Sequence, residues 1–132
     1  MPFRFGKGKR RTAALKDGDT ICVFPEGTTG PGDTVLPFHA NLLQAAIATG
    51  VPAQPVALRY SEPGLPVSVA AQYIGETTLV GSLLKVAGAR GLVVHVGFLE
   101  AEPPGETERR RLAQALQARI AARLAADLAA PA

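Results

Sequence analysis

Three nearly continuous apolar runs mark the chain, and glycine, proline or charged residues bound each of them. Such runs are typical of strands that are covered on both faces of a sheet, so we predict strands over 20–24, 53–60 and 92–99. A shorter strand is predicted over 70–74. A helix-length segment separates the first two strands, which predicts a βαβ unit with parallel strands and a right-handed crossover. The fold class expected is therefore α/β, with a partial, mixed and largely parallel sheet flanked by helices.

The helical spacing of apolar residues predicts four helices, over 10–16, 37–49, 78–87 and 106–128. The second should end at Gly50, because glycine readily adopts the left-handed conformation that caps a helix. The third is apolar on nearly all sides and is expected to be buried, with contact to a membrane as the alternative. The fourth repeats leucine or isoleucine every four residues from Leu112 to Leu128. We expect it to pack on the sheet rather than lie on a membrane surface.

Residues 21–32 are the most informative stretch of the chain. A short apolar run, in which Cys22 is expected to be a buried filler, ends at Pro25, since proline cannot donate to a sheet ladder. Glu26 follows at once, and the next six residues are three glycines, two threonines and a proline. Glycines allow backbone amides to approach a ligand closely. In open α/β sheets, ligands bind at this edge.

This stretch resembles the third sequence block of the glycerolipid acyltransferases, which reads Phe-Pro-Glu-Gly-Thr and is often followed by arginine. Residues 24–28 match all five positions, and Thr29 stands where many relatives have arginine. Residues 51–58, Val-Pro-Ala-Gln-Pro-Val-Ala-Leu, resemble the fourth block of the same family. The resemblance extends over roughly residues 17–125 and implies the C-terminal part of the glycerolipid acyltransferase fold.

The resemblance also implies a reaction, the transfer of a fatty acyl group from acyl-CoA or acyl carrier protein to a lysolipid hydroxyl. The acceptor would be 1-acylglycerol 3-phosphate or a related lysolipid, and no metal or redox cofactor is implied. The family's base is the histidine of a His-x-x-x-x-Asp motif, which activates the hydroxyl. This sequence has no such motif, because His39 is followed five positions later by Gln44 and His95 by Glu100. We expect His95 to be a strand histidine without a catalytic role.

A chain without that motif is expected to be a truncated form that does not turn over alone. Two alternatives belong to other classes of protein. One is a non-catalytic module that binds phospholipid or phosphate. The other is a truncated reading frame with no independent role, whose unpaired sheet edge would promote association.

The predicted substrate-binding residues are Glu26, Gly27, Thr28, Thr29 and His39. The family resemblance implies that Glu26 and the two residues after it hold the polar head of the acceptor. His39 is expected at the start of the next helix, facing the glycine-rich loop. Thr29, in place of arginine, removes a bidentate phosphate donor, so either another residue binds the phosphate or the acceptor lacks one. The structural alternatives are that Glu26 only caps the loop and that His39 only packs.

Charge is distributed unevenly along the chain. The formal net charge is +3, but residues 1–16 carry six basic side chains and no acidic one. We therefore divide the chain into a basic N-terminal lead, 1–16, and an acyltransferase part, 17–132. Three roles are open for the basic lead: a solvated tail, a segment that contacts an anionic membrane, or an arm that binds nucleic acid. No nucleic-acid partner is expected, because no nucleic-acid-binding module follows it.

Composition narrows the class of protein further. Apolar residues make up 47% of the chain and charged residues 19%, a balance typical of a folded domain. One cysteine excludes an internal disulfide. No apolar run approaches the roughly 18 residues that a membrane-spanning helix needs. The expected location is the cytoplasm, peripheral to the inner face of the membrane.

Overall fold

A computed structural model of the chain describes residues 8–105 and 108–130. Its elements, in chain order, are α1 (Gly8–Lys16), a 3-10 helix (Ala40–Leu43), α2 (Gln44–Thr49), β1 (Val56–Ser61), α3 (Leu79–Gly88), β2 (Val93–Phe98) and α4 (Arg109–Ala129). Helices thus form within each predicted helical segment, and strands form within two of the predicted apolar runs. Gly50 caps α2 in the left-handed conformation, as predicted.

The sheet differs from the prediction. Within the described residues it has two strands, β1 and β2, which pair antiparallel from Val56 opposite Phe98 to Ser61 opposite Val93. The expectation of a largely parallel sheet was therefore wrong. The predicted βαβ unit is also absent, because residues 20–24, its first strand, pair with no other strand in the described structure. The helix α3, which connects β1 and β2, was expected to be buried but has no buried residue.

Two predicted strands are absent from the described structure. Residues 20–24 and 70–74 take part in no sheet ladder. A strand needs a partner that supplies hydrogen bonds, whereas apolar β-branched composition measures only how well a segment would fit a sheet. No described segment offers residues 20–24 that partner. The run remains irregular up to the turn at Pro25, and Phe24 is exposed.

The core lies between α4 and the 3-10 helix. Its buried members are Leu43, Leu112, Ala113 and Leu116, and the partly buried residues that pack against them are Phe38, Ala40, Ile47 and Ala53. The leucine spacing of α4 therefore predicted which side of the helix is buried. α4 also packs on β1, and α1 packs on α2. This core holds the 3-10 helix, and with it the end of the glycine-rich loop, in place.

One face of the sheet is open, in contrast to the prediction that both faces are covered. The cross-strand pairs Val56–Phe98, Leu58–Val96 and Tyr60–Val94 lie on the same face, and all six side chains are exposed. The opposite face lies towards α4, where the Arg123 guanidinium packs against Gly97. A second link to α4 is the ion pair between Arg119 and Glu102, at 3.0 Å. No helix in the described part of the chain is both long and apolar enough to cross a bilayer.

The loop after β1 is organised by a carboxylate. Glu62 accepts hydrogen bonds from the Ser68 hydroxyl at 2.6 Å and from the Ala70 amide at 3.0 Å. The Ser68 oxygen in turn accepts a bond from the Ala71 amide, and Ser68 is fully buried. The Ser68 hydroxyl, followed by the Ala70 amide, lowers the pKa of Glu62 from its ordinary value of 4.5. The ionised carboxylate therefore stabilises this loop.

Glu62→Gln should lower the free energy of unfolding at neutral pH, because the charged acceptor is lost. A lowered pKa contributes stability above the unfolded-state pKa, and this contribution disappears as the pH falls through the folded-state pKa. The difference between Glu62→Gln and the native chain should therefore shrink below the ordinary value of 4.5. Urea unfolding across the acid range measures it, with the exposed Glu100→Gln as the control. A difference that does not depend on pH would contradict the role given to the carboxylate.

Candidate functional site

A tight turn delivers Glu26 to the surface. The Gly27 amide donates to the Phe24 carbonyl at 3.2 Å, so Pro25 and Glu26 occupy the centre of the turn. Gly27 has φ +69°, a left-handed conformation that favours glycine. The ring of His39 lies directly over it, since a Cβ on Gly27 would come within 2.8 Å of the ring. The structure thus brings two of the predicted site residues, Gly27 and His39, into contact.

The Glu26 side chain closes the glycine-rich loop, residues 26–36. Its Oε2 accepts a hydrogen bond from the Leu36 amide at 2.8 Å, and the carboxylate is half-buried. A second bond, from the His39 amide to the Pro25 carbonyl at 2.8 Å, fastens the end of the loop to its beginning. Among the described residues, none donates to Oε1. Glu26 therefore caps the loop with one oxygen and leaves the other available.

The two threonines have different surroundings. Thr28 is exposed, and its hydroxyl has no hydrogen-bond partner in the described structure, so it can bind a ligand. The Thr29 hydroxyl instead donates to the carbonyl of Tyr73. Nearby, the Gln72 side-chain amide donates to the Pro31 carbonyl at 2.8 Å. Thr29 therefore ties the loop to residues 72–73.

The helix that follows the loop is shorter than predicted. The segment 37–49 was expected to form one helix, but it consists of the four-residue 3-10 helix Ala40–Leu43 and the six-residue α2. The side chain of His39 makes no capping hydrogen bond at its start. Because this helix is short and irregular, the dipoles of its peptide units sum to little. Its N-terminus therefore contributes little to binding an anion.

A shallow groove lies beside the end of the loop. Its volume is about 180 Å³, and it is lined by Pro37, Phe38, Ala40, Arg110, Ala113, Gln114 and Gln117. Gln117 also donates to the Val35 carbonyl at 3.2 Å, which connects α4 to the end of the loop. None of the five predicted site residues lines this groove.

Two residues that the sequence singled out lie elsewhere. His95 is in β2, and its Nε2 is 2.7 Å from the Ser61 hydroxyl oxygen, a cross-strand contact. Cys22 was expected to be a buried filler, but it is exposed, because the segment around it forms no strand.

Comparison with known proteins agrees with these motifs. Residues 6–59 match the model of a family described as Acyltransferase. A lyso-ornithine lipid O-acyltransferase of Pseudomonas aeruginosa is 38% identical over 118 residues, which cover 89% of this chain and 44% of that protein. A 1-acyl-sn-glycerol-3-phosphate acyltransferase of Neisseria meningitidis is 31% identical over 96 residues, or 73% of this chain and 37% of that protein.

The chain belongs to the glycerolipid acyltransferase family. A further member, the lyso-ornithine lipid O-acyltransferase of Brucella abortus, is 30% identical over 95% of this chain and 53% of its own length. The chain thus spans about half the length of the curated relatives it matches. No solved structure is significantly similar to it.

The contacts that hold the site together leave no mark in the sequence. The Leu36 amide, the Tyr73 carbonyl and the Gln72 side chain carry no chemical signature, and residues 72 and 73 are 41 and 44 positions from the loop residues that they contact. The glycine content predicted a loop whose backbone amides a ligand can approach closely. It did not indicate that the closest neighbour is the His39 ring.

Gly27→Ala should displace the ring of His39, because the new Cβ would come within 2.8 Å of it. The left-handed backbone should cost about 1–2 kcal/mol of unfolding free energy. Gly18→Ala is the matched control, since Gly18 also has positive φ but open space around its Cβ position. Both variants should lose similar stability in urea unfolding. Only Gly27→Ala should shift the His39 ring signals in NMR spectra, and unchanged signals would refute the contact.

Proposed function

We propose that the chain serves acyl transfer in phospholipid biosynthesis. An acyl group would pass from acyl-CoA or acyl carrier protein to the free hydroxyl of 1-acylglycerol 3-phosphate or a related lysolipid. The names of the relatives in Pseudomonas aeruginosa and Neisseria meningitidis support an acceptor of this class. The single observation that carries the proposal is the closed loop at Glu26, a surface turn built from the residues that match the family's third block.

In this proposal the loop binds the polar head of the acceptor. The available Oε1 of Glu26 accepts a hydrogen bond from a hydroxyl or an ammonium group, and the exposed Thr28 hydroxyl donates or accepts. His39, whose ring packs over Gly27, forms the side of the site next to the turn. Thr29 acts differently, since its hydroxyl already donates to the Tyr73 carbonyl. It fixes the loop rather than binding the acceptor.

The charge of the loop favours one kind of head group. Residues 25–36 contain Glu26 and Asp33 but no Lys or Arg. A phosphate monoester would be repelled by the Glu26 carboxylate, whereas the ammonium group of ornithine would be attracted to it. We therefore propose that an amine-bearing lysolipid binds better than 1-acylglycerol 3-phosphate. The two relatives named lyso-ornithine lipid O-acyltransferases are consistent with this preference.

Turnover requires a base for the acceptor hydroxyl, and this sequence has no His-x-x-x-x-Asp motif. We propose that the chain as given binds the acceptor without acylating it, at the inner face of the cytoplasmic membrane. Binding without turnover is also what a non-catalytic phospholipid-binding module would show. The two functions separate when the chain is supplied with a polypeptide that carries the missing motif, because acylation would then appear only for an acyltransferase part.

Glu26→Gln tests the proposal. Glutamine keeps an oxygen that can accept from the Leu36 amide, so the loop should stay closed while the negative charge is removed. Binding of lyso-ornithine lipid, measured by calorimetry below its micelle concentration, should weaken about tenfold, as expected for loss of one charge-assisted hydrogen bond. Binding of 1-acylglycerol 3-phosphate should not weaken.

The exposed Glu108→Gln is the matched control for Glu26→Gln and should bind like the native chain. Incubation of the native chain alone with acyl-CoA and either lysolipid should give no acylation above the protein-free rate. Robust acylation would contradict the claim that a base is missing. Equal binding by Glu26→Gln and the native chain would contradict the role of the loop.

A further inference from the structure

The helix α3 presents its apolar side to solvent. Leu79, Val80, Leu83 and Leu84 are 60–69% exposed, and no residue of the helix is buried. At 3.6 residues per turn these four lie on one side of the helix, and Gly81, Ser82 and Lys85 lie on the other. Gly81 and Ser82 are the less exposed residues. This is the reverse of an ordinary surface helix, which turns its apolar side towards the core.

The charged side chains within α3 and between it and β2 are basic, whereas the exposed Glu76 lies three residues before the helix begins. Residues 77–99 include Lys85 and Arg90 and contain no Asp or Glu. Both side chains are exposed. An anionic surface would therefore be attracted to this segment without repulsion from any carboxylate within it.

A second copy of the chain fits this surface less well. In a two-fold symmetric contact the same surface of each copy takes part, so the contact would cover the leucines but give Lys85 and Arg90 no anionic partner from this segment. The segment has no carboxylate to neutralise them. A lipid bilayer offers both of the required components, acyl chains for the leucines and anionic head groups for the two cations.

The start of α3 is connected to the glycine-rich loop. The Thr78 hydroxyl caps the helix by accepting from the Gly81 amide at 3.1 Å. Just before it, the Thr77 hydroxyl donates to the Ile74 carbonyl at 2.6 Å. Residues 72–73 in turn bind the loop through the Thr29 and Gln72 side chains. The position of α3 therefore determines where the loop lies relative to any surface on which the helix docks.

We propose that α3 docks in the plane of an anionic lipid bilayer and holds the glycine-rich loop at its surface. The leucines enter the boundary between head groups and acyl chains, and Lys85 and Arg90 contact anionic head groups. A helix of ten residues is about 15 Å long, too short to span a bilayer but sufficient to lie in its surface. Only the statement that the loop then meets its acceptor rests on the proposed function.

The test is the partition of the full chain onto vesicles, measured by co-sedimentation. Vesicles of phosphatidylcholine are compared with vesicles of equal parts phosphatidylcholine and phosphatidylglycerol. The double variant Leu83→Gln, Leu84→Gln should bind the anionic vesicles at least about tenfold more weakly. Glutamine preserves helix propensity, and both leucines are exposed, so the variant should fold, as circular dichroism can verify.

Leu58→Gln is the matched control, because Leu58 is an exposed leucine on the open face of the sheet. It should change partition by less than about twofold, as expected for surface changes outside the docking helix. Lys85→Gln should weaken binding to the anionic vesicles about fivefold and leave binding to phosphatidylcholine unchanged. Lys85→Arg, which keeps the positive charge, should bind the anionic vesicles as well as the native chain does.

Native partition by the double variant would overturn the proposal. The proposal would also be overturned if the native chain were a dimer, the double variant were a monomer, and both bound vesicles equally well. In that case α3 would bind a second copy of the chain. Failure here is separable from failure of the proposed function. Loss of lysolipid binding in Glu26→Gln with normal vesicle binding in the α3 variant would refute only the docking helix. Normal lysolipid binding in Glu26→Gln, together with weakened vesicle binding in the α3 variant, would refute only the acceptor site.

Discussion

The hydrogen bond from the Leu36 amide to the Glu26 carboxylate closes the glycine-rich loop. It joins the two ends of an eleven-residue loop that has no regular secondary structure of its own. A hydrogen bond to a charged acceptor contributes about 1.5–3 kcal/mol, and a half-buried one belongs near the lower value. That is enough to favour one loop conformation over its competitors. It leaves the second carboxylate oxygen without a donor among the described residues.

The rest of the molecule supports this closed loop from two sides. On one side the core of α4 and the 3-10 helix fixes the end of the loop, and Gln117 reaches the Val35 carbonyl. On the other side Thr29 and Gln72 join the loop to the segment that leads into α3. Packing therefore fixes the end of the loop and hydrogen bonds fix its other side, because the glycine-rich loop contributes few apolar side chains to a core. The site combines a rigid support with an exposed turn, a common arrangement for binding loops.

Local signals in the sequence predicted the local features of the structure. The leucine spacing of α4, the apolar run of β2 and the capping glycine Gly50 each depend on neighbours within a few residues, and all three are found. The parallel sheet was not found, because pairing depends on a distant partner that residues 20–24 do not have in the described structure. The exposure of α3 was likewise unpredictable, since an apolar helix has the same spacing whether protein or another apolar phase covers it.

In the candidate site too, local features were predictable from the sequence and long-range contacts were not. The family motif identified Glu26, Gly27 and Thr28 by sequence alone, and the turn places them together. The tether from Thr29 to Tyr73 joins residues 44 positions apart, and no pattern in the sequence marks it. The motif suggested a phosphate site, and the absence of Lys and Arg from residues 25–36 is the reason that an amine-bearing head group is proposed there instead.

The most direct measurement is an NMR titration of the labelled chain with a short-chain lyso-ornithine lipid, followed at the backbone amides. If the closed loop binds the polar head, the amides of Gly27, Thr28 and Leu36 will shift together and saturate at one ligand concentration. The amides of Ala113 and Gln117, which line the groove beside the end of the loop, will not move. Shifts confined to the groove, with an unchanged Leu36 amide, would contradict the account.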